Sequence, residues 1–226
     1  MLGGGLSNTS VRVADSRKAW VVRIDGLDHT RLGLSRDAEW RALEMAASRG
    51  LAPKPVFRNP DLGALVCEYH SSVSVPLNIA GVARLLRAIH ALPPIKFRLD
   101  PLQRARCYLQ GPGARVLPAE LVEACQALTP SKTVLCHNDL LQANRLYSKG
   151  RLLAIDWEYA AMGDPLFDLA AVIEGDRYTN SQALALLTEW MQTEPTREAL
   201  ERLALQRVIY QHLARLWEGA ATRLRG

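Results

Sequence analysis

Two short apolar runs bracket a polar loop, and the second run ends on an aspartate. Val134-Leu135-Cys136 leads into His137-Asn138-Asp139-Leu140-Leu141-Gln142-Ala143-Asn144, and Leu152-Leu153-Ala154-Ile155 leads into Asp156. The runs are too short for helices and suit strands flanking a loop. The order predicted is strand, loop, strand and then Asp156.

The rest of the chain divides by pattern. Ser10 to Val13 alternates, and Ala19 to Ile24 follows the polar turn Asp15-Ser16-Arg17-Lys18, which predicts a hairpin. From Ser35 to Arg49 the spacing is helical, with Ser35 as cap, Asp37 and Glu39 in the first turn and Gly50 as the stop. Gly63 to Tyr69 reads as a short buried strand. Beyond it helices dominate: Ile79 to Leu92 stops at Pro93-Pro94, and Leu205, Val208, Ile209, His212, Leu213, Leu216 and Trp217 share one helical face. A strand-rich front and a helix-rich back predict an α+β chain of two lobes, residues 1–69 and 70–226.

Composition narrows the function classes. Hydrophobic residues are 48% and charged residues 23% of the chain, as in soluble globular proteins. No apolar run approaches the ~20 residues that span a bilayer. The opening Met-Leu-Gly-Gly-Gly-Leu-Ser lacks a cationic region and an apolar core, so no secretory signal is expected, and the expected location is cytoplasmic. The net charge is +5, but the arginines are scattered through helical patterns rather than gathered in a stripe. That argues against nucleic acid and against a membrane surface as partner. Cys67, Cys107, Cys125 and Cys136 match no zinc spacing and read as reduced thiols in the interior.

The bracketed loop has the residues that phosphoryl transfer requires. A carboxylate must orient the attacking hydroxyl and take its proton, oxygen ligands must hold magnesium on the nucleotide phosphates, and a rigid loop must fix the distances. H-x-D-x-x-x-x-N supplies a base and one ligand, and a strand ending in aspartate supplies the second ligand. No G-x-x-x-x-G-K-[ST] occurs, which disfavours a P-loop enzyme.

These residues resemble the choline kinase and aminoglycoside phosphotransferase superfamily, related in fold to the protein kinases. Ile155-Asp156-Trp157-Glu158-Tyr159-Ala160 is especially similar to the bacterial choline kinase-like and thiamine kinase-like branch, and Gly163-Asp164-Pro165 with Phe167-Asp168-Leu169-Ala170 continues the likeness. The resemblance implies a protein-kinase-like fold with a small antiparallel-sheet lobe, a larger helical lobe, and ATP and Mg²⁺ between them. It implies Asp139 as base, Asn144 and Asp156 as magnesium ligands, and His137 and Asp168 as supports, Asp168 bracing the loop. Leu2-Gly3-Gly4-Gly5-Leu6-Ser7-Asn8-Thr9 resembles the glycine-rich phosphate loop, where backbone N–H groups, Ser7, Asn8 and Thr9 would donate to phosphate. Arg23 stands where the wider superfamily has a lysine, and Glu39 is its expected partner. Glu68 and Tyr69 fall at the hinge that holds adenine. Two departures are a glycine loop beginning at residue 3, with little or no strand before it, and a short C-terminal region.

Aromatic residues are candidates for the acceptor pocket. Trp157, Tyr159, Trp190, Tyr210 and Trp217 could attract a quaternary ammonium by cation–π contact, with Glu158 or Glu174 adding charge. This predicts a cationic small-molecule acceptor, choline-like first and thiamine second. An aminoglycoside or aminosugar comes third, because no acidic cluster marks the C-terminal helices. The rival from another class is a nucleotide-binding protein without turnover. For Trp217 the apolar stripe argues more strongly for a place in the core.

Overall fold

The computed structural model describes residues 8–73, 78–111 and 116–225. The front lobe is a four-stranded antiparallel sheet of β1 (Asn8–Ala14), β2 (Ala19–Asp25), β3 (Pro55–Asn59) and β4 (Ala64–Glu68), in the order β1-β2-β4-β3. The turn between β1 and β2 forms because the Asp15 carboxylate accepts from the Arg17 and Lys18 amides, both at 2.6 Å. Helix α1 (Arg36–Ser48) starts where the Ser35 hydroxyl accepts from the Ala38 amide at 3.3 Å. It stops at Gly50, whose φ of +69° suits glycine.

Among the described residues the back lobe holds six α-helices: α2 (Ile79–His90), α3 (Pro101–Tyr108), α4 (Ala119–Ala127), α5 (Pro165–Gly175), α6 (Asn180–Met191) and α7 (Arg197–Arg225). Their starts are written in the sequence. Asn78, Asp100 and Asp164 cap α2, α3 and α5 through their side chains, and Thr179 with Gln182 forms a reciprocal capping box on α6. Gly163-Asp164-Pro165 is thus a strand end, a cap and a first helical turn. Asp164 also accepts from Arg202 and Gln206 of α7, at 2.6 and 2.8 Å, which ties α7 to the start of α5.

Four short strands carry the loop region. β5 (Val134–Cys136) pairs with β8 (Ala161–Gly163), and β6 (Arg145–Ser148) pairs with β7 (Arg151–Ala154). Both runs expected as strands are strands, but each takes a partner too short to be legible in the sequence, and they do not pair with each other.

Two apolar clusters fill the interior. One joins α1, α2, α5 and α6 around Leu86, Ile89, Leu169, Ile173 and Leu187. Each such side chain contributes about 1.5–3 kcal/mol by burial. The other joins α3, α4 and α7 around Tyr108, Leu121, Ile209 and Leu213. The expected stripe on α7 faces this second cluster, with Trp217 partly buried against it. The same cluster takes in Leu27, Leu32 and Leu34, from the segment between β2 and α1. The front lobe therefore sends a loop into the core of the back lobe. Among the described residues no helix is long and apolar enough to cross a membrane.

Candidate active site

The polar loop between β5 and β6 is held from beneath by Asp168 of α5, which is fully buried. Its carboxylate accepts from the His137 amide at 2.8 Å and the Asn138 amide at 2.5 Å. It also lies 3.0 Å from His90 Nε2. The Trp190 indole N–H donates to His90 Nδ1 at 3.1 Å, so Nε2 carries the imidazole proton and donates to Asp168. A buried carboxylate with three donors is well satisfied, and it sets the path of the loop through two consecutive amides. The sequence placed Trp190 among the acceptor aromatics, whereas the structure puts its N–H on this brace.

The His137 ring is also fully buried, beside Trp157 with ring centroids 4.8 Å apart. Its Nε2 is 2.9 Å from the Ile155 carbonyl. Burial pushes its pKa down to about 4, so the ring is a neutral support. Asn138 follows in the left-handed region, with φ +63°, and its side chain donates to the Tyr159 carbonyl at 2.9 Å.

The loop then presents Asp139. The Asn144 side-chain amide donates to Asp139 Oδ2 at 2.8 Å and to the Asp139 carbonyl at 2.9 Å. Burial, with the charges of Asp156 and Glu158, holds the Asp139 carboxyl well above the usual carboxylate range. The Ile155 amide donates to the Asn144 carbonyl at 2.9 Å, which fixes the loop to the segment carrying Asp156. Asp156 has φ +62°, a conformation that aspartate tolerates better than most residues. Burial and Glu158 raise its pKa to about 7, against the opposing pull of Arg23.

Charged residues of the front lobe close over these carboxylates. Arg23 donates to Glu39 at 2.8 Å, so the expected pair is present, and it also donates to Asp156 Oδ1 at 3.1 Å. Arg36 donates to Asp25 at 2.8 Å, Glu39 at 2.8 Å and Glu158 at 3.1 Å. Asn8 donates to Glu158 at 3.0 Å. Neither Arg36 nor the contact between Asn8 and Glu158 was foreseen, because the bonds of both to Glu158 join residues more than a hundred positions apart.

The nucleotide and acceptor candidates are more mixed. Gly4, Gly5 and Ser7 lie outside the described residues, and Thr9 is exposed at the start of β1. The Glu68 and Tyr69 amides donate to the Lys54 and Ala19 carbonyls, both at 2.9 Å, and Arg12 sits 4.7 Å from the Tyr69 ring centre. Trp157 is 1% exposed and its indole N–H donates to the Ala154 carbonyl at 3.1 Å, so it packs in the core rather than lining open space. Glu158 is buried under Arg36 and Asn8. Glu174 is engaged by Arg207 and Gln211 of α7. The Asp139 charge reaches Tyr159 and Tyr210 and helps raise both phenols. Tyr108, which the sequence did not single out, joins them for the same reason.

Oxygen donors from Asn144 and Asp156 fit a hard divalent cation such as Mg²⁺. Both Asn144 amide bonds run to Asp139, which leaves its carbonyl oxygen as the free donor. Asp156, whose pKa burial raises, would be relieved by a cation beside it.

Comparison with known proteins identifies the fold and the family. The structure is similar to the choline kinase LicA of Streptococcus pneumoniae, with a TM-score of 0.82 at 24% identity, covering 99% of this chain and 85% of that one. It is also similar to an aminoglycoside-3′-phosphotransferase of type VIII, with a TM-score of 0.68 at 20% identity, covering 93% of this chain and 90% of that one. These likenesses establish the protein-kinase-like fold. In sequence, 54 residues are 46% identical to Protein LicA of Haemophilus influenzae, covering 24% of this chain and 20% of that protein. Ethanolamine kinase 2 of Mus musculus is 28% identical over 192 residues, 69% of this chain and 46% of that protein. The chain thus spans less than half the length of these curated relatives. The profile of the phosphotransferase enzyme family matches residues 2–216, nearly the whole chain, and the chain belongs to that family.

Proposed function

We propose that this protein transfers the γ-phosphoryl group of ATP to a hydroxyl of a small cationic acceptor, choline-like in the first reading and thiamine in the second. The observation that carries the proposal is the geometry at Asp139. This half-buried carboxylate is oriented by Asn144 on a loop braced by Asp168, and its charge reaches Tyr159 and Tyr210. The relatives named as choline and ethanolamine kinases support the acceptor class, and the solved LicA complex with AMP supports an adenine nucleotide.

In this reading Asp139 receives the acceptor hydroxyl and takes its proton as the oxygen attacks phosphorus. The raised proton affinity of its carboxyl suits that task. Asn144 fixes the carboxylate, and Asn144 with Asp156 would hold Mg²⁺. A cation held there would supply positive charge against the negative charge of the phosphates. Arg23, kept in place by Glu39, carries positive charge to the phosphate side of Asp156.

The test is ADP release by purified protein with Mg²⁺ and ATP, against choline, ethanolamine, thiamine, an aminosugar and an aminoglycoside. Acceptor-dependent release is expected. Asp139→Asn should lower it by about 10²–10⁴-fold while leaving nucleotide binding in place. Unchanged turnover in that variant would reject Asp139 as the base. Nucleotide binding without stimulation by any acceptor would favour a protein that binds ATP without turnover.

A further inference from the structure

One buried cation, close to Tyr108 and Tyr159, has no counterion among the described residues. Arg104, on α3, is 5% exposed. Among the described residues it forms no ion pair, and the segments outside them contain neither aspartate nor glutamate. Its guanidinium stands 5.7 Å from the centre of the Tyr159 ring and bonds to the Tyr108 side chain. Its other side is walled by the loop from the front lobe, where a Cβ added at Gly33 would lie 3.4 Å from Arg104 Nε. The Tyr159 hydroxyl is buried and has no partner. The carboxylates whose charge reaches both tyrosines are already engaged. Asp139, whose charge reaches both tyrosines, is bound to Asn144, and Glu158 is bound by Arg36 and Asn8.

A buried, unpaired guanidinium is expensive, and it is retained where something pairs with it. Arginine is also suited to carboxylate and phosphate, since its planar fork matches both. One face of the Tyr159 ring is meanwhile taken by this internal cation, which weakens its attraction for an ammonium group of the acceptor.

We infer that Arg104 is the specificity-determining residue of the acceptor pocket, and that the acceptor carries an anionic group, a carboxylate or a phosphate ester, which pairs with it. The Tyr159 hydroxyl supplies a second bond to that group. This deepens the kinase reading and rests on it for turnover, but not for binding. A cationic acceptor in this pocket is then a zwitterion, with hydroxyl, ammonium and acid on one small molecule.

Matched pairs test this: ethanolamine against L-serine, choline against L-carnitine, and glycerol against glycerol 3-phosphate. The members of each pair differ chiefly in the anion, and the third pair separates phosphate from carboxylate. At least one anionic member should exceed its partner in kcat/KM by about 10-fold or more. Arg104→Leu should erase that preference, while Arg104→Lys should keep part of it. Thermal shift with the same compounds reads binding without turnover. An anion-dependent shift lost in Arg104→Leu, with no turnover for any compound, would uphold this inference and sink the kinase reading. Turnover of choline or ethanolamine with no preference for the anionic partners would leave the kinase reading standing and overturn the role of Arg104. A preference that survives Arg104→Leu, or neither turnover nor shift with any anionic member, would also overturn it.

Discussion

Acid should destabilise this protein through His137, and His137→Gln should remove that part of the loss. The ring is enclosed against Trp157, with its Nε2 beside the Ile155 carbonyl. Burial lowers its pKa from 6.5 to about 4, although the charge of Asp168 and the bond to Ile155 oppose the shift. In the unfolded chain the imidazole binds a proton below about pH 6.5, whereas in the fold it stays neutral until about pH 4. Between those values the unfolded state holds the extra proton, so stability falls as pH falls. At about 1.36 kcal/mol per pH unit, the loss is roughly 3 kcal/mol by pH 4, with about 2 kcal/mol gone by pH 5. Urea unfolding of both proteins from about pH 7.5 down to about pH 4.5 would measure it. The difference between them isolates this ring, because the other titrating groups are common to both. That difference should shift by about 2–3 kcal/mol against the wild type on acidification. A difference that stays flat with pH would show that the ring is hydrated or already charged in the fold, and the argument from burial would fail.

Three further outcomes follow from the same geometry. Asp156→Ala should weaken Mg²⁺-dependent nucleotide affinity by about 10-fold or more, with little effect on binding measured without the metal; titration calorimetry under both conditions checks it. Arg36→Met leaves Asp25, Glu39 and Glu158 without a shared partner, so it should cost about 3–5 kcal/mol in urea unfolding. Asp168→Asn replaces an acceptor of three bonds by a group that must donate on one side. It should lower stability by about 1.5–3 kcal/mol and reduce kcat more than it changes the nucleotide KM.

The loop from His137 to Asn144 was legible because its information is local. The proposed base, Asp139, and the proposed ligand, Asn144, lie in one stretch after an apolar run, and the strand leading to Asp156 follows at once. Helix starts were legible at Ser35 for the same reason: a cap acts on residues two or three positions away. The brace through Trp190 and His90 to Asp168 could not be read, since three separate helices supply its parts. Arg36 was invisible too. Nothing near it in the chain distinguishes it from the other arginines, and its role comes from carboxylates on β2, α1 and the segment after β7. Trp157 shows the opposite error. A motif suggested ligand contact for the whole stretch around Asp156, but the left-handed turn there sends the neighbouring indole into the core. β6 and β8 were missed because three or four residues carry too little pattern.

The loop between β2 and α1 has a consequence for how this protein breathes and melts. Withdrawing Leu27, Leu32 and Leu34 from their places among α3, α4 and α7 would cost about 1.5–3 kcal/mol each. Together that rivals the entire stability of a typical domain, about 5–15 kcal/mol. A jaw-like parting of the lobes is therefore nearly as costly as denaturation. Ligand traffic must instead use small rotations that leave the three leucines seated, and sheet and helices should lose their structure in one calorimetric event rather than two.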